Sequence, residues 1–283
     1  HLRAILSDEK LLLGVIKEEI IAIKDKYADA RRTEIRHAEG EINMRDLIDD
    51  EEIAITLTHF GYIKRVPLDT YKSQNRGGKG IAAMSTREED FVKHLVTTST
   101  HSRLLFFTNK GRVFRLDAFE IPEGKRKAKG TAIVNLLQLA PNEKITTLIP
   151  VDDINDKELY LLLATKKGIV KKTKREEFKN INKSGLIAIG LRSDDELIDV
   201  KITNGEKDIL LVTENGMSIR FNETDIRPMG RTAMGVKGIT LSTEDRVVSM
   251  NLTDEGHELL VVSENGFGKR TDINEYRVQS RAG

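Results

Sequence analysis

The sequence predicts a mainly β fold, a propeller-like disc of four-stranded blades, preceded by an α-helical segment. Three observations predict it. First, a tight turn with Thr or Ser three residues before Gly recurs five times, at Thr58 to Gly61, Thr108 to Gly111, Thr165 to Gly168, Thr213 to Gly216 and Ser263 to Gly266. The glycines lie 50, 57, 48 and 50 residues apart, and self-similarity at such a period marks stacked supersecondary units. Second, each turn follows a short apolar run: Ala54-Ile55, Leu104 to Phe107, Leu161 to Leu163, Ile209 to Val212 and Leu259 to Val262. Runs this short, bounded by turn signals, read as buried strands. Third, further strand-like stretches precede these runs, such as Val92 to Thr98, Ile145 to Val151 and Leu197 to Ile202, with polar turns such as Asn204-Gly205 and Glu255-Gly256. Each period therefore holds about four short strands, the content of one blade.

The chain begins differently. Over residues 1–40, Leu12, Ile16, Ile20, Ile23 and Tyr27 recur at spacings of four and three, the stripe of an amphipathic helix. Ser7 is placed to cap it, with Asp8 and Glu9 in the first turn. Leu11, Leu13, Val15 and Ile21 widen the apolar face beyond what a lone surface helix can hide. The segment reads as a helix that docks on a larger helical body, and His1 in place of Met reads as a fragment. Residues 41–52 are acidic, with Glu41, Asp46, Asp49, Asp50, Glu51 and Glu52 against Arg45, and read as a linker into repeats spanning 53–283. The fifth repeat is cut short.

Bulk composition selects no partner. Lys plus Arg number 46 and Asp plus Glu 45 among 283 residues. Cys is absent, which excludes disulfides and thiolate metal sites and suits a cytoplasmic protein. No apolar run approaches the ~20 residues of a membrane span, so no membrane partner is expected.

The balance hides segregation. Residues 61–80, 103–130 and 166–183 carry net excesses of four, five and six positive charges. Acid gathers in other loops, at Asp152, Asp153 and Asp156, Asp194, Asp195 and Glu196, and Asp254 and Glu255. The fourth residue after each turn glycine is basic in every repeat: Arg65, Arg115, Lys172, Arg220 and Arg270. Because strand side chains alternate faces, one strand position per blade is expected to trace a ring of cations. With the adjoining Lys64, Lys171 and Lys269, the ring suits the phosphates of double-stranded DNA.

Residues 74–80 read Gln74-Asn75-Arg76-Gly77-Gly78-Lys79-Gly80. Paired glycines let backbone N–H groups approach a phosphate while Arg76 and Lys79 neutralise it. Ile81 follows Gly80, so this is not a nucleotide-binding P-loop. Gly80 lies 19 residues past its turn glycine, as do Gly130 and Gly235, so that glycine is expected to serve the blade. Arg76, Gly77 and Gly78 show no counterpart in repeats two to four and are assigned to a specialised contact.

The heptad resembles the hallmark Gln-Arg-Arg-Gly-Gly-Lys-Gly box of the DNA gyrase A C-terminal domain family at six of seven positions, with Asn75 departing. The approach from Gly61-Tyr62-Ile63-Lys64-Arg65 through Pro67 to Tyr71 is similar to that family, and residues 24–35 resemble the end of its breakage–reunion core. The resemblance implies a β-pinwheel whose blades exchange strands, about six in the family, with four and part of a fifth in this chain. It implies DNA bent around the rim and held by the box, in an ATP-dependent type IIA topoisomerase that adds negative supercoils. The implied partners are the rest of the gyrase A subunit and the gyrase B subunit in an A2B2 assembly. ATP and Mg2+ are implied for that holoenzyme, and no cofactor or catalytic residue for this stretch. The related topoisomerase IV subunit, and a propeller scaffold for acidic proteins, are the other two readings. The six His residues show no metal-ligand spacing, and Asp152/Asp153 and Asp194/Asp195 read as solvated loop residues.

Overall fold

All five turns use one local chemistry in the computed structural model. The hydroxyl of Thr58, Thr108, Thr165, Thr213 or Ser263 accepts the N–H four residues on, at 3.0 to 3.3 Å. The same residue's carbonyl accepts the turn glycine's N–H at 2.9 to 3.1 Å. Every turn glycine has positive φ, between 70° and 85°, a conformation that costs glycine little. A short side-chain acceptor three residues before Gly is thus what closes each hairpin, which is why this spacing marks the repeat.

The structure describes residues 2–29, 33, 44–71, 84, 86, 89–151 and 159–283. Two compact units result, residues 1–44 and 45–283. The first holds α1 (Leu2–Ser7) and α2 (Glu9–Tyr27). Ser7 closes α1, so the α2 cap is its neighbour Asp8, whose carboxylate accepts the Lys10 N–H at 2.9 Å. Leu12, Ile16, Ile20, Ile23 and Tyr27 are exposed, and no α2 residue is buried.

Among its described residues, the regular structure of the second unit is all β apart from short 3₁₀ turns. The first repeat gives β1 (Glu52–Thr58) and β2 (Tyr62–Pro67). The second gives β3 (Val92–Ser99), β4 (Arg103–Thr108), β5 (Arg112–Asp117) and β6 (Thr131–Ala132). The third gives β7 (Ile145–Val151), β8 (Tyr160–Thr165), β9 (Ile169–Lys174) and β10 (Leu186–Ile187). The fourth gives β11 (Leu197–Thr203), β12 (Asp208–Thr213), β13 (Ser218–Asn222) and β14 (Val236–Lys237), and the fifth β15 (Val247–Leu252), β16 (Glu258–Val262) and β17 (Gly268–Asp272). The sheets do not coincide with the repeats. Their orders are β3-β1-β2-β6, β10-β5-β4-β7, β11-β8-β9-β14 and β13-β12-β15, followed by the β16–β17 hairpin. Each of the first three sheets is one repeat's hairpin with two strands lent by the next repeat. The lent long strands β3, β7, β11 and β15 adjoin one another in series, and the two-residue strands form the opposite edge.

The core lies between successive sheets. Ile53, Ile55 and Leu57 pack with Leu104, Phe106 and Phe114; Leu105 and Phe107 pack with Leu161 and Leu163; Leu162 and Ala164 pack with Ile209 and Leu211. A hairpin strand buried on both faces needs apolar side chains at consecutive positions, as in the fully buried Leu104 to Phe107.

The acidic stretch read as a linker is anchored from residue 45 onward. Arg45 donates to the His101 carbonyl, Glu51 N–H donates to Thr100 Oγ1 at 3.1 Å, and the Asp49 carbonyl accepts from that hydroxyl at 2.7 Å. Removing residues 1–40 is expected to leave the thermal transition and β circular-dichroism signal of the repeats nearly unchanged. Collapse of the β signal would make the helices part of its core.

Candidate nucleic-acid interface

The basic position after each of the first four turns has a defined partner in the next repeat. Arg65 Nε donates to the Ile121 carbonyl at 2.8 Å, and Arg115 Nη1 to the Lys179 carbonyl at 3.4 Å. Lys172 Nζ donates to the Glu223 carbonyl at 2.8 Å, and Arg220 Nη1 to those of Ile273 and Tyr276 at 2.9 and 3.4 Å. All these acceptors lie in or just after the following repeat's 3₁₀ turn: Ala118–Glu120, Arg175–Phe178, Glu223–Asp225 and Ile273–Glu275. The Ile121, Lys179 and Tyr276 carbonyls follow the turn, where carbonyls lack intrahelical partners and a cation suits them; those of Glu223 and Ile273 accept the cation in addition to an N–H of their own turn.

The ring read from the sequence is therefore not uniformly presented outward. Lys172 is 4% exposed and pairs with the buried Glu223 carboxylate at 3.7 Å. Arg65 and Arg220 are half-buried and paired with Glu123 and Asp208 at 3.6 and 2.8 Å. Arg115, Lys269 and Arg270 are exposed, with Arg270 3.2 Å from Glu258. Lys64 and Lys171 are fully buried. The physical reason is strand exchange: the following repeat covers the strand face that periodicity alone leaves open.

What covers it is a strap. In repeats two, four and five the loop after the 3₁₀ turn runs back across the preceding hairpin's second strand. Arg65 N–H donates to Pro122 and its carbonyl accepts from Gly124. The Lys172 carbonyl accepts from Met229, and that of Arg220 from Gln279. Parallel bridges Arg65–Glu123, Lys172–Pro228 and Arg220–Val278 lie along the same lines. Gly130 and Gly235 end their straps at φ 83° and 96°. A Cβ there would fall 2.5 Å from the Ile63 or Val170 carbonyl oxygen.

These straps carry further cations, half-buried or exposed. The fifteenth residue after the turn glycine is basic in all five repeats: Arg76, Arg126, Lys183, Arg231 and Arg281. Arg76 thus has counterparts, which counting from the turn glycine reveals and comparison of the glycine-rich letters hides. Lys183 is exposed; Arg126, Arg231 and Arg281 are half-buried. Lys125, Lys127, Lys179, Arg227 and Arg277 lie exposed on the same straps, and Lys129 stacks over the Tyr62 ring at 3.9 Å. In repeats two to four the described strap residues lead into the two-residue strands at the sheet edge. Gln74, Asn75, Arg76, Gly77, Gly78, Lys79 and Gly80 lie outside the described residues, as do Asp152 and Asp153.

The acidic loops also do more than meet solvent. Asp195 accepts the N–H groups of Lys167 and Glu196, both at 2.9 Å. Asp90 accepts those of Phe60 and Phe91, both at 3.0 Å, and Asp245 those of Asn215 and Arg246 at 3.1 and 2.8 Å. Each ties one repeat's turn to the next repeat's leading strand. Among the described residues, no group of His, Asp and Glu converges as for a metal ion. Burial pushes the His94 imidazole down to about 4.

Burial also pushes the Lys171 ammonium down from 10.5 to about 8, with Glu177 opposing and Arg231 assisting. Between those values the unfolded chain binds the proton and the folded chain does not, so this group makes stability rise with pH. Lys171→Met lacks the titrating group. The stability of the parent minus that of the variant is expected to grow by up to about 3 kcal/mol from pH 8 to 10.5. Denaturant titrations across that window check it; a constant difference would contradict it.

The DNA gyrase C-terminal domain β-propeller model matches residues 52–99, 102–152, 159–204, 207–254 and 257–283. The chain is 60% identical over 283 residues to the DNA gyrase A subunit of Clostridium acetobutylicum, covering all of this chain and 34% of that protein. It is 50% identical over 286 residues to that of Staphylococcus aureus, covering all of this chain and 32% of that one. The chain thus spans about a third of the length of these curated relatives. Among solved structures, a DNA gyrase A C-terminal domain is similar at TM-score 0.65 and 30% identity, over 82% of this chain and 75% of that one. A C-terminal domain of DNA topoisomerase IV is similar at TM-score 0.70 and 31% identity, over 83% and 72%.

Proposed function

This chain belongs to the DNA gyrase C-terminal β-propeller family, and from that premise we propose that it wraps double-stranded DNA along its strapped edge for a gyrase. The observation that carries the reading is the basic strap in repeats two to five, with exposed Lys183 and half-buried Arg126, Arg231 and Arg281 in one register and further exposed cations beside them. Phosphates of a bent duplex meet these side chains in turn, which gives affinity without sequence readout. The box from Gln74 to Gly80 occupies the same register in the first repeat and holds one end of the wrap. Arg115, Lys269 and Arg270, exposed like Lys183, add positive field, while Lys64, Arg65, Lys171, Lys172 and Arg220 act from within.

In the whole enzyme, wrapping presents a neighbouring DNA segment to the cleavage gate in one handedness. Supercoiling then uses the rest of the gyrase A subunit, the gyrase B subunit, ATP and Mg2+ in the cytoplasm. The topoisomerase IV reading has less support, because the 50–60% identical relatives are gyrase proteins and the topoisomerase IV structure is 31% identical. To test wrapping, nicked plasmid is ligated in the presence of increasing amounts of the full chain. The expected result is a linking-number shift of one sign that grows with protein; an unshifted distribution despite binding would contradict it.

A further inference from the structure

Two lysines that never reach solvent are unexplained by packing alone. Lys64 and Lys171 are both 0% exposed, and both stand three residues after their turn glycine. The same position in the second and fourth repeats is Phe114 and Ile219, so an apolar side chain satisfies the hairpin there. A buried ammonium is unfavourable unless it is hydrogen-bonded, and both lysines spend their donors in one way. Lys64 Nζ donates to the carbonyls of Lys125, at 3.1 Å, and Arg126. Lys171 Nζ donates to those of Ala188, at 2.7 Å, and Arg231. In each case an acceptor is the main chain of the residue in the strap's outward register, in the repeat that follows.

The alternate straps are held without such a lysine. Where Phe114 stands, Arg112 donates to the Ser184 carbonyl, next to Lys183. Where Ile219 stands, Arg281 itself donates to the Lys237 carbonyl. The two lysine-held straps present Arg126 and Arg231, whose planar guanidinium must be oriented to meet a phosphate with two donors.

We infer that Lys64 and Lys171 are positioning residues for DNA: each grips the main chain under one strap arginine, Arg126 or Arg231, and fixes where that guanidinium meets the duplex. The inference rests on the strap reading of DNA binding. Lys171 approaches no DNA itself, and its effect passes through Arg231; Lys64 acts in the same way through Arg126.

Binding of the full chain to a fluorescent duplex, followed by anisotropy across a salt series, tests this in a double-mutant cycle. Arg231→Ala is expected to weaken binding about fivefold and lower the salt slope by about one. Lys171→Met is expected to do nearly the same while retaining a cooperative thermal transition. In the Arg231→Ala background, Lys171→Met should add less than about twofold. Lys64→Met with Arg126→Ala forms a second, independent cycle. A merely structural lysine would lower stability and leave the slope alone. Unchanged binding by folded Lys171→Met, or effects that multiply in the double variant, overturns the positioning role while Arg231→Ala still impairs binding. Unchanged binding by Arg231→Ala removes the strap from the DNA path, and this inference with it. If Lys171→Met does not fold, Lys171→Gln, which keeps an amide donor for one carbonyl, takes its place. Failure of both to fold makes Lys171 a core residue and overturns the role.

Discussion

Arg76→Ala combined with Lys79→Ala, in the full-length gyrase protein, is expected to abolish stable wrapping while leaving most duplex affinity. The strap cations of the other repeats remain in that variant, so the salt slope for plain duplex should fall by only about two. Negative supercoiling by the reconstituted holoenzyme should be lost, while ATP-dependent relaxation or decatenation survives. The expected reason is geometric: on the proposed reading, phosphate contacts along successive straps would bind DNA, but only a held end would fix the path of the bend. Gly77→Val should act similarly, because a β-branched side chain keeps the backbone from approaching a phosphate. Supercoiling and topological footprinting at matched protein and salt check both variants. Normal supercoiling by the double variant would remove the heptad from the wrapping role.

Gly235→Val should have the largest effect on the fold. Its φ of 96° is unfavourable for a β-branched residue. The added Cβ would also meet the Val170 carbonyl oxygen at 2.5 Å and Lys171 Cβ at 3.1 Å. The strap cannot retreat without releasing the Met229 N–H from the Lys172 carbonyl. A loss of about 3 kcal/mol or more is expected, or roughly 10 °C in Tm for a unit of this size. Gly216 supplies the contrast. Its φ is 81°, but nothing lies within 4 Å of its would-be Cβ, so Gly216→Ala should cost only about 1 kcal/mol. Equal losses at the two positions, by calorimetry, would show that backbone conformation alone sets the requirement.

Much of the fold was legible because its signals are local. The Thr/Ser hydroxyl and the positive-φ glycine act within one turn, so their spacing announces each hairpin. Runs such as Leu104 to Phe107 announce burial on both faces. Strand exchange leaves no such mark. Nothing in β6 or β10 says that it pairs with the hairpin of the repeat before it. For the same reason the sequence could not tell a cation facing solvent from one facing a carbonyl. Lys172 and Arg115 occupy the same register, yet the first is buried on Glu223 and the second exposed. The strap register was available without a structure, because Arg76, Arg126, Lys183, Arg231 and Arg281 are equally spaced from their turn glycines. It was obscured by the glycine-rich heptad, whose letters change from repeat to repeat while its cation does not. The helix cap falls one residue later than its sequence signal because α1 occupies Ser7, leaving Asp8 as the first free acceptor.

We propose that duplex DNA follows the straps. This is tested most directly by replacing Arg126, Lys183, Arg231 and Arg281 together with alanine, and measuring duplex bending by end-to-end energy transfer alongside the salt dependence of binding. A retained cooperative thermal transition, a salt slope lowered by about four and loss of bending are expected. A folded variant that bends DNA with the parent's salt slope would contradict it.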